Sequence, residues 1–171
     1  MLISFLKIFM IIKLLKEEKC PQWVIEHSIA VCKKAKEIAK NFDVDDELIE
    51  EASLLHDIGR SKTDSIEHGI IGANLAIKHG FSKKTANIIE KHIGSGISKE
   101  EAMKLGLPEK NYIPETIEEK IVSHADNLIN GSDEVDIDFV VKKWRKYKIN
   151  NLEESIKRLK KVHKELIEEI K

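Results

Sequence analysis

Cysteine is close to absent. The two that occur, Cys20 and Cys32, stand outside any CxxC spacing, so neither a disulfide framework nor a thiolate-rich structural zinc site can be built. They read as free thiols of a reducing compartment. Proline (3) and glycine (8) are also scarce in a chain of 171 residues, which leaves helix largely uninterrupted over the length of one ordinary domain. Charge of one sign is missing too: 29 Lys and Arg stand against 30 Asp and Glu, and a balanced surface has no general electrostatic grip on nucleic acid. No stable nucleic-acid binding is expected. Finally, no apolar run is long enough to span a bilayer. Met1 to Leu15 is apolar apart from Ser4, Lys7 and Lys13, short of the about 20 residues a spanning helix needs, and it lacks the basic start and small-residue cleavage site of an export signal. An amphipathic helix packed on the domain, or an extended start, is the expectation. Membrane attachment at the periphery or a dimer contact is the alternative. The missing signal and the free thiols point to the cytoplasm.

What remains is 42% apolar and 35% charged, the composition of a globular chain with a heavily charged surface. Apolar spacing predicts a succession of helices. Pro21 can open one, since its missing N–H costs nothing in a first turn. Val24, Ile25, Ser28, Val31, Cys32, Ala35, Ile38 and Ala39 then keep one face at helical period, with His27 near its edge. Asp43 can cap the next helix, with Asp45, Asp46 and Glu47 near its positive end. Ser61 to Glu67 reads as a polar loop, and His68 to Gly80 as a helix in which Gly72 and Ala73 allow close packing. Phe81-Ser82 starts another that runs to His92. Gly94-Ser95-Gly96 reads as a flexible turn able to move over whatever lies beside His92. A short helix is expected at Lys99–Leu105 in an otherwise loop-like stretch, where Tyr112 is a packed aromatic or a platform for a base. Thr116 to Ile129 forms a strong helix, which Gly131 ends. An acidic connection follows at Asp133 to Asp138, then a short helix around Phe139, Val140 and Trp144, and a long C-terminal stripe from Leu152 to Ile170.

The most informative stretch is Leu54-Leu55-His56-Asp57-Ile58-Gly59-Arg60. Burying an ionised Asp among Leu and Ile costs several kcal/mol unless a cation or hydrogen-bond donors compensate it. Adjacent helical residues diverge by about 100°, yet both side chains can reach one ion lying off the helix end, where Gly59 would terminate the helix. His27 precedes the pair; His68, His92 and Asp126 follow it on helix-like segments. Arginine occurs only at Arg60, Arg145 and Arg158, and one of these beside a metal site could hold a phosphate through its planar fork.

A histidine, a His-Asp pair and a late aspartate in this order resemble the HD-domain metal-dependent phosphohydrolases, and the HDIG subgroup in particular, from about Trp23 to Ile129. The resemblance implies an all-α, compact HD-domain helical bundle of about seven to nine helices. It places residues 21–150 in the HD domain, after an N-terminal apolar or amphipathic helix at 1–20. A C-terminal amphipathic helix at 151–171 would pack on the domain or on a partner subunit, which leaves a homodimer open. It implies metal ligands at His27, His56, Asp57 and Asp126, with His68 and His92 as ligands of a possible second ion that Asp57 would bridge. In this chain Ile93, rather than a second histidine, follows His92, a departure that bears on the second ion. Mixed imidazole and carboxylate donors suit Mn, Fe, Co, Ni or Zn. An ion there lowers the pKa of its water toward about 7, and the reaction implied is attack of that water on a phosphomonoester or phosphodiester, of a nucleotide by preference. Asp57 would assist with the proton, and Arg60, with a lysine such as Lys62, would neutralise the phosphate. Two other readings stand beside it: an HD-fold di-iron oxygenase of a small polyol or phosphonate, and a non-catalytic nucleotide- or metal-binding module.

Overall fold

The computed structural model describes residues 2–147 and 151–170, with side chains from residue 6 onward. The described residues form nine α-helices and one two-stranded hairpin, the all-α architecture expected. Helix α1 (Leu2–Glu17) buries Ile11 and Leu15 against the body and leaves Leu6, Phe9 and Met10 exposed. The apolar N-terminal run is thus a helix docked along one face. Each such burial is worth roughly 1.5–3 kcal/mol. No helix among the described residues is long and apolar enough to cross a membrane.

Pro21 immediately precedes α2 (Gln22–Ala39), whose buried face is the stripe read from the sequence. His27 belongs to that face and is 8% exposed, further inside than its place at the edge of the stripe suggests. Helix α3 (Asp46–Leu55) is capped by Asp45, which accepts the Leu48 N–H, and not by Asp43. Asp45 has the extended backbone an N-cap requires, three residues before the orphan N–H it meets. Helices α2, α3 and α7 (Ile117–Asn127) share one core of Val31, Ala35, Ile49, Ala52, Ile121 and Ala125.

The role expected for Gly59 is also different. It lies within a 3₁₀ turn, Ile58–Ser61, and is absent from the positive-φ glycines. A Cβ there would fall 1.9 Å from the His68 carbonyl oxygen, on α4 (His68–Lys78), and 2.7 Å from the Gly72 nitrogen. Glycine is needed for close approach of two backbones rather than for a left-handed turn. Gly72 also packs closely on α5 (Lys83–Lys91), its would-be Cβ 3.0 Å from the Ile89 side chain.

After α6 (Lys99–Lys104), held by a capping box between Ser98 and Glu101, α7 begins with a second box between Thr116 and Glu119. Glu119 also receives buried Lys91 at 3.0 Å. The segment beyond α7 departs from expectation. Ile129–Asn130 (β1) and Asp133–Glu134 (β2) pair antiparallel. Gly131 turns this hairpin at φ +67° instead of ending the helix. The acidic stretch supplies the second strand and then Asp136, which caps α8 (Ile137–Lys146) through the Phe139 N–H. Val140, Val141 and Trp144 of α8 pack on Ile156 and Leu159 of α9 (Leu152–His163). The last turn widens into a π helix, Lys164–Glu168. Leu166 is fully buried there in the α2–α3–α7 core, so the C-terminal stripe packs on its own chain at that point.

Candidate functional site

The ends of α3, α5 and α7, the start of α4 and the middle of α2 converge, and they bring six side chains into one cluster. His56 and Asp57 come from the end of α3, His27 from α2, His68 from the first turn of α4, His92 from the end of α5 and Asp126 from α7. Each imidazole is tethered through Nδ1 to a main-chain carbonyl: His27 to Gly131 (2.6 Å), His56 to Ser53 (2.7 Å), His68 to Ser65 (2.7 Å) and His92 to Ile89 (2.6 Å). A carbonyl only accepts, so every Nδ1 carries the proton and every Nε2 of a neutral ring presents a lone pair.

Those lone pairs face carboxylates and one another. His27 Nε2 is 2.8 Å from Asp126 Oδ1. His56 Nε2 lies 3.5 Å from Asp126 Oδ1 and 3.7 Å from Asp57 Oδ2. Asp57 Oδ1 is 3.2 Å from His68 Nε2 and 3.5 Å from His92 Nε2, and those two nitrogens are 3.2 Å apart. His56 Nε2 and Asp57 Oδ1 are buried and have no hydrogen-bond partner. Acceptors packed this closely call for positive charge between them. The titration of His56 expresses the same demand: burial alone would lower its pKa, yet Asp57 and Asp126 raise it to about 9. Asp57 in turn is held well below the ordinary carboxylate range, since the surrounding histidines outweigh its burial.

Three overlapping sets, His27–His56–Asp57, His56–His92–Asp126 and Asp57–His68–His92, have ligand atoms within 4.8 Å of one another. These donors fit a divalent ion, and Asp57 belongs both to the set with His27 and to the set with His68. Ile93 in place of a second histidine does not remove His92 from the cluster.

Arg60 Nε donates to Asp57 Oδ2 over 2.7 Å, and its guanidinium lies 5.8 Å from the centre of the Trp23 ring. Both line a pocket of ≈ 260 Å³ that opens onto His27, Asp57 and Asp126. Lys62 does not line this pocket; it pairs with Glu18 at 2.7 Å. The lysine that does line it is Lys143, on α8, donating to Asn130 Oδ1 at 2.9 Å. Lys143, Phe139 and Asn130 had no signal in the sequence, because the hairpin and α8 reach the site only through tertiary packing.

The Gly94–Gly96 turn is a fixed wall and not a flap. Ser123 Oγ and Asn127 Nδ2 donate to Gly94 O at 2.9 and 2.7 Å, and Arg158 donates to Gly96 O at 3.1 Å. Tyr112 is packed, 2% exposed, with its hydroxyl donating to Pro108 O. His124 points away from the cluster and lies 3.0 Å from His163; burial and that neighbour push its pKa down to about 3.

The chain is 52% identical over 145 residues to the uncharacterized protein MJ0778 of Methanocaldococcus jannaschii, covering 82% of this chain and 85% of that one. It is 43% identical over 153 residues to a tRNA (cytidine(56)-2'-O)-methyltransferase of Picrophilus torridus, covering 90% of this chain but 44% of the relative. This chain thus spans less than half of that enzyme. The fold matches the HD domain of the L. monocytogenes phosphodiesterase PgpH, solved in complex with cyclic-di-AMP, at a TM-score of 0.57 and 16% identity, covering 89% and 92% of the two chains. The model of the HD domain matches residues 24–131, a span that holds all six clustered side chains, and the chain therefore belongs to the HD-domain superfamily of metal-dependent phosphohydrolases.

Proposed function

We propose that the protein hydrolyses a phosphomonoester or phosphodiester of a nucleotide with the aid of a divalent transition metal. The observation that carries this reading is a set of six buried or half-buried donors, with unpartnered acceptors at His56 and Asp57, opening onto a pocket that also presents Arg60 and Lys143. His27, His56, Asp57 and Asp126 would hold the ion; His68 and His92, with Asp57, would hold a second. Mn, Fe, Co, Ni and Zn all suit these donors. A divalent ion so held supplies Lewis acidity toward a phosphoryl oxygen and toward water.

The chain's own residues supply the rest. The main-chain tethers on the four imidazoles fix ring orientation, so the donor set is formed before substrate arrives. Arg60 keeps its terminal amino groups for a phosphate while Nε anchors it to Asp57, and a planar fork is suited to two phosphate oxygens. Lys143 adds a second positive charge to the same pocket. Asp57, held ionised, is placed to accept a proton from an attacking water. The PgpH domain was solved with a cyclic dinucleotide, which supports a nucleotide ester as the class to test first. The methyltransferase named for the Picrophilus relative belongs to a chain more than twice as long.

The test is phosphate release from nucleotides, small phosphomonoesters and a bis-aryl phosphodiester, each metal separately, with Asp57→Ala beside the wild type. Release by the wild type alone supports the reading. Silence with every metal and ester overturns it. The sharing of Asp57 with His68 and His92 is also the arrangement a di-iron oxygenase would use, so bound iron with oxygen consumption would favour that alternative. Nucleotide binding without turnover would favour a non-catalytic module.

A further inference from the structure

A second and larger cavity, ≈ 520 Å³, lies on the other side of Trp144 and contains none of the clustered histidines or aspartates. We propose that it is a nucleoside subsite, taking the base and sugar of the ester whose phosphate lies beside Arg60. The placement of that phosphate rests on the phosphohydrolase reading above.

Three observations carry the proposal. The first is adjacency: Asn127 and Trp144 line both spaces, so the two cavities meet at those side chains. Asn127 directly follows Asp126, and Ile93, another wall residue, directly follows His92. The cavity is therefore built on the same backbone that presents the donor cluster.

The second is chemistry. The walls are Ile66, Ile93, Ile97, Leu105 and the Trp144 indole, with amides at Asn127 and Asn151. Apolar walls with a few placed polar groups, at a volume within roughly 300–1,000 Å³, are the usual makeup of a small-molecule site. A flat heteroaromatic ring suits an indole wall by stacking, and carboxamides match the donor and acceptor pattern of base edges. An acyl chain would offer no hydrogen bond to those amides. The Glu101 carboxylate on the same wall is matched by Arg158 at 2.9 Å, so it does not repel a nucleotide.

The third is that the cavity is preformed. Asn127 Nδ2 is committed to Gly94 O at 2.7 Å and Asn151 Nδ2 to Glu101 Oε1 at 3.3 Å, which fixes both amide planes. The Gly94–Gly96 turn between them is held by Ser123 and Arg158. Little has to be ordered on binding.

The experiment is calorimetric titration of the full chain with adenosine, guanosine, cytidine and uridine, which carry no phosphate and need no metal or turnover. At least one nucleoside is expected to bind saturably with Kd below about 1 mM. Leu105→Tyr, at a cavity residue already 36% exposed, should weaken that binding at least tenfold. Met103→Tyr, 57% exposed and outside the cavity lining, should bind as wild type. Should Leu105→Tyr lose cooperative unfolding, Trp23→Phe leaves Trp144 as the one tryptophan of the chain's two, and the nucleoside should change its fluorescence. Absence of saturable binding, unaltered binding in a folded Leu105→Tyr, or a silent Trp144 overturns the proposal. Nucleoside binding without phosphate release would keep the subsite and overturn the hydrolase reading. Phosphate release without nucleoside binding would do the reverse.

Discussion

Arg60 and Asp57 are joined by a 2.7 Å hydrogen bond from Nε to Oδ2, while the other oxygen of the same carboxylate lies 3.2 Å from His68 Nε2. The candidate phosphate-binding group is therefore positioned by the residue at the centre of the donor cluster. A change at either one should be felt at the other.

Asp57→Asn tests the cluster. The amide keeps the shape but loses the charge that two donor sets share. Bound metal per chain, measured by elemental analysis after dialysis, should fall by at least half, and turnover by at least about 10³-fold, the scale on which groups acting as a unit fail. Far-ultraviolet circular dichroism should stay helical. Full metal content in the variant would remove Asp57 from the ligand set.

Arg60→Lys is expected to behave more like Arg60→Ala than like wild type. One ammonium cannot at once hold Asp57 Oδ2, lie against Trp23 and present a fork to phosphate. Both variants should raise KM about tenfold or more with metal content unchanged. A fully active lysine variant would reduce the role of Arg60 to its charge.

Gly59→Ala should be severely destabilising. The new methyl would stand 1.9 Å from the His68 carbonyl, and both sides of the contact are backbone, so relief requires α4 to move. A loss of about 3 kcal/mol or more is expected from overpacking of this kind. Gly80→Ala is the comparison, since nothing lies within 4 Å of its would-be Cβ and only its φ of +83° opposes the change; about 1 kcal/mol should be lost. Urea midpoints measure both. Equal losses would contradict the close approach of the 3₁₀ turn to α4.

Glu101 gives a pH dependence remote from the cluster. Burial by itself would raise its pKa, but the Ser98 N–H, Arg158 and Asn151 together hold it below the ordinary value. The unfolded chain therefore binds this proton more readily than the native one, and stability rises with pH. The contribution is complete above about pH 4.3, the unfolded value, and disappears as pH falls through the lower native value. Glu101→Gln should lose stability at pH 7, and the gap from wild type should narrow as the pH drops below 4. A gap that is constant with pH would assign the loss to packing and capping alone.

The order His27, His56-Asp57, His68, His92 and Asp126 was legible because a charged residue embedded in an apolar helical stripe has few stable explanations. The helices were legible because period-3.6 apolar spacing is local. The same locality explains the misses. Asp43 and Asp45 look equally able to cap a helix, and it is Asp45 that accepts the Leu48 N–H. Gly59 and Gly131 look like helix terminators, yet one serves a backbone contact with α4 and the other a hairpin turn. Gly94-Ser95-Gly96 has the composition of a mobile loop, but four hydrogen bonds from Ser95, Ser123, Asn127 and Arg158 hold it.

By itself, the sequence determined the helical class, the absence of a disulfide framework, the docking face of α2 and the residues able to meet a metal, since each follows from composition or from neighbours a few positions apart. Tertiary structure decided the rest. It brought the Nε2 atoms of four imidazoles to two carboxylates. It exchanged Lys62 for Lys143 in the pocket, and it opened the cavity behind Trp144. The contacts among the donors join segments as far as 99 residues apart (His27 to Asp126), and such pairings are fixed by which surfaces bury each other rather than by any local pattern.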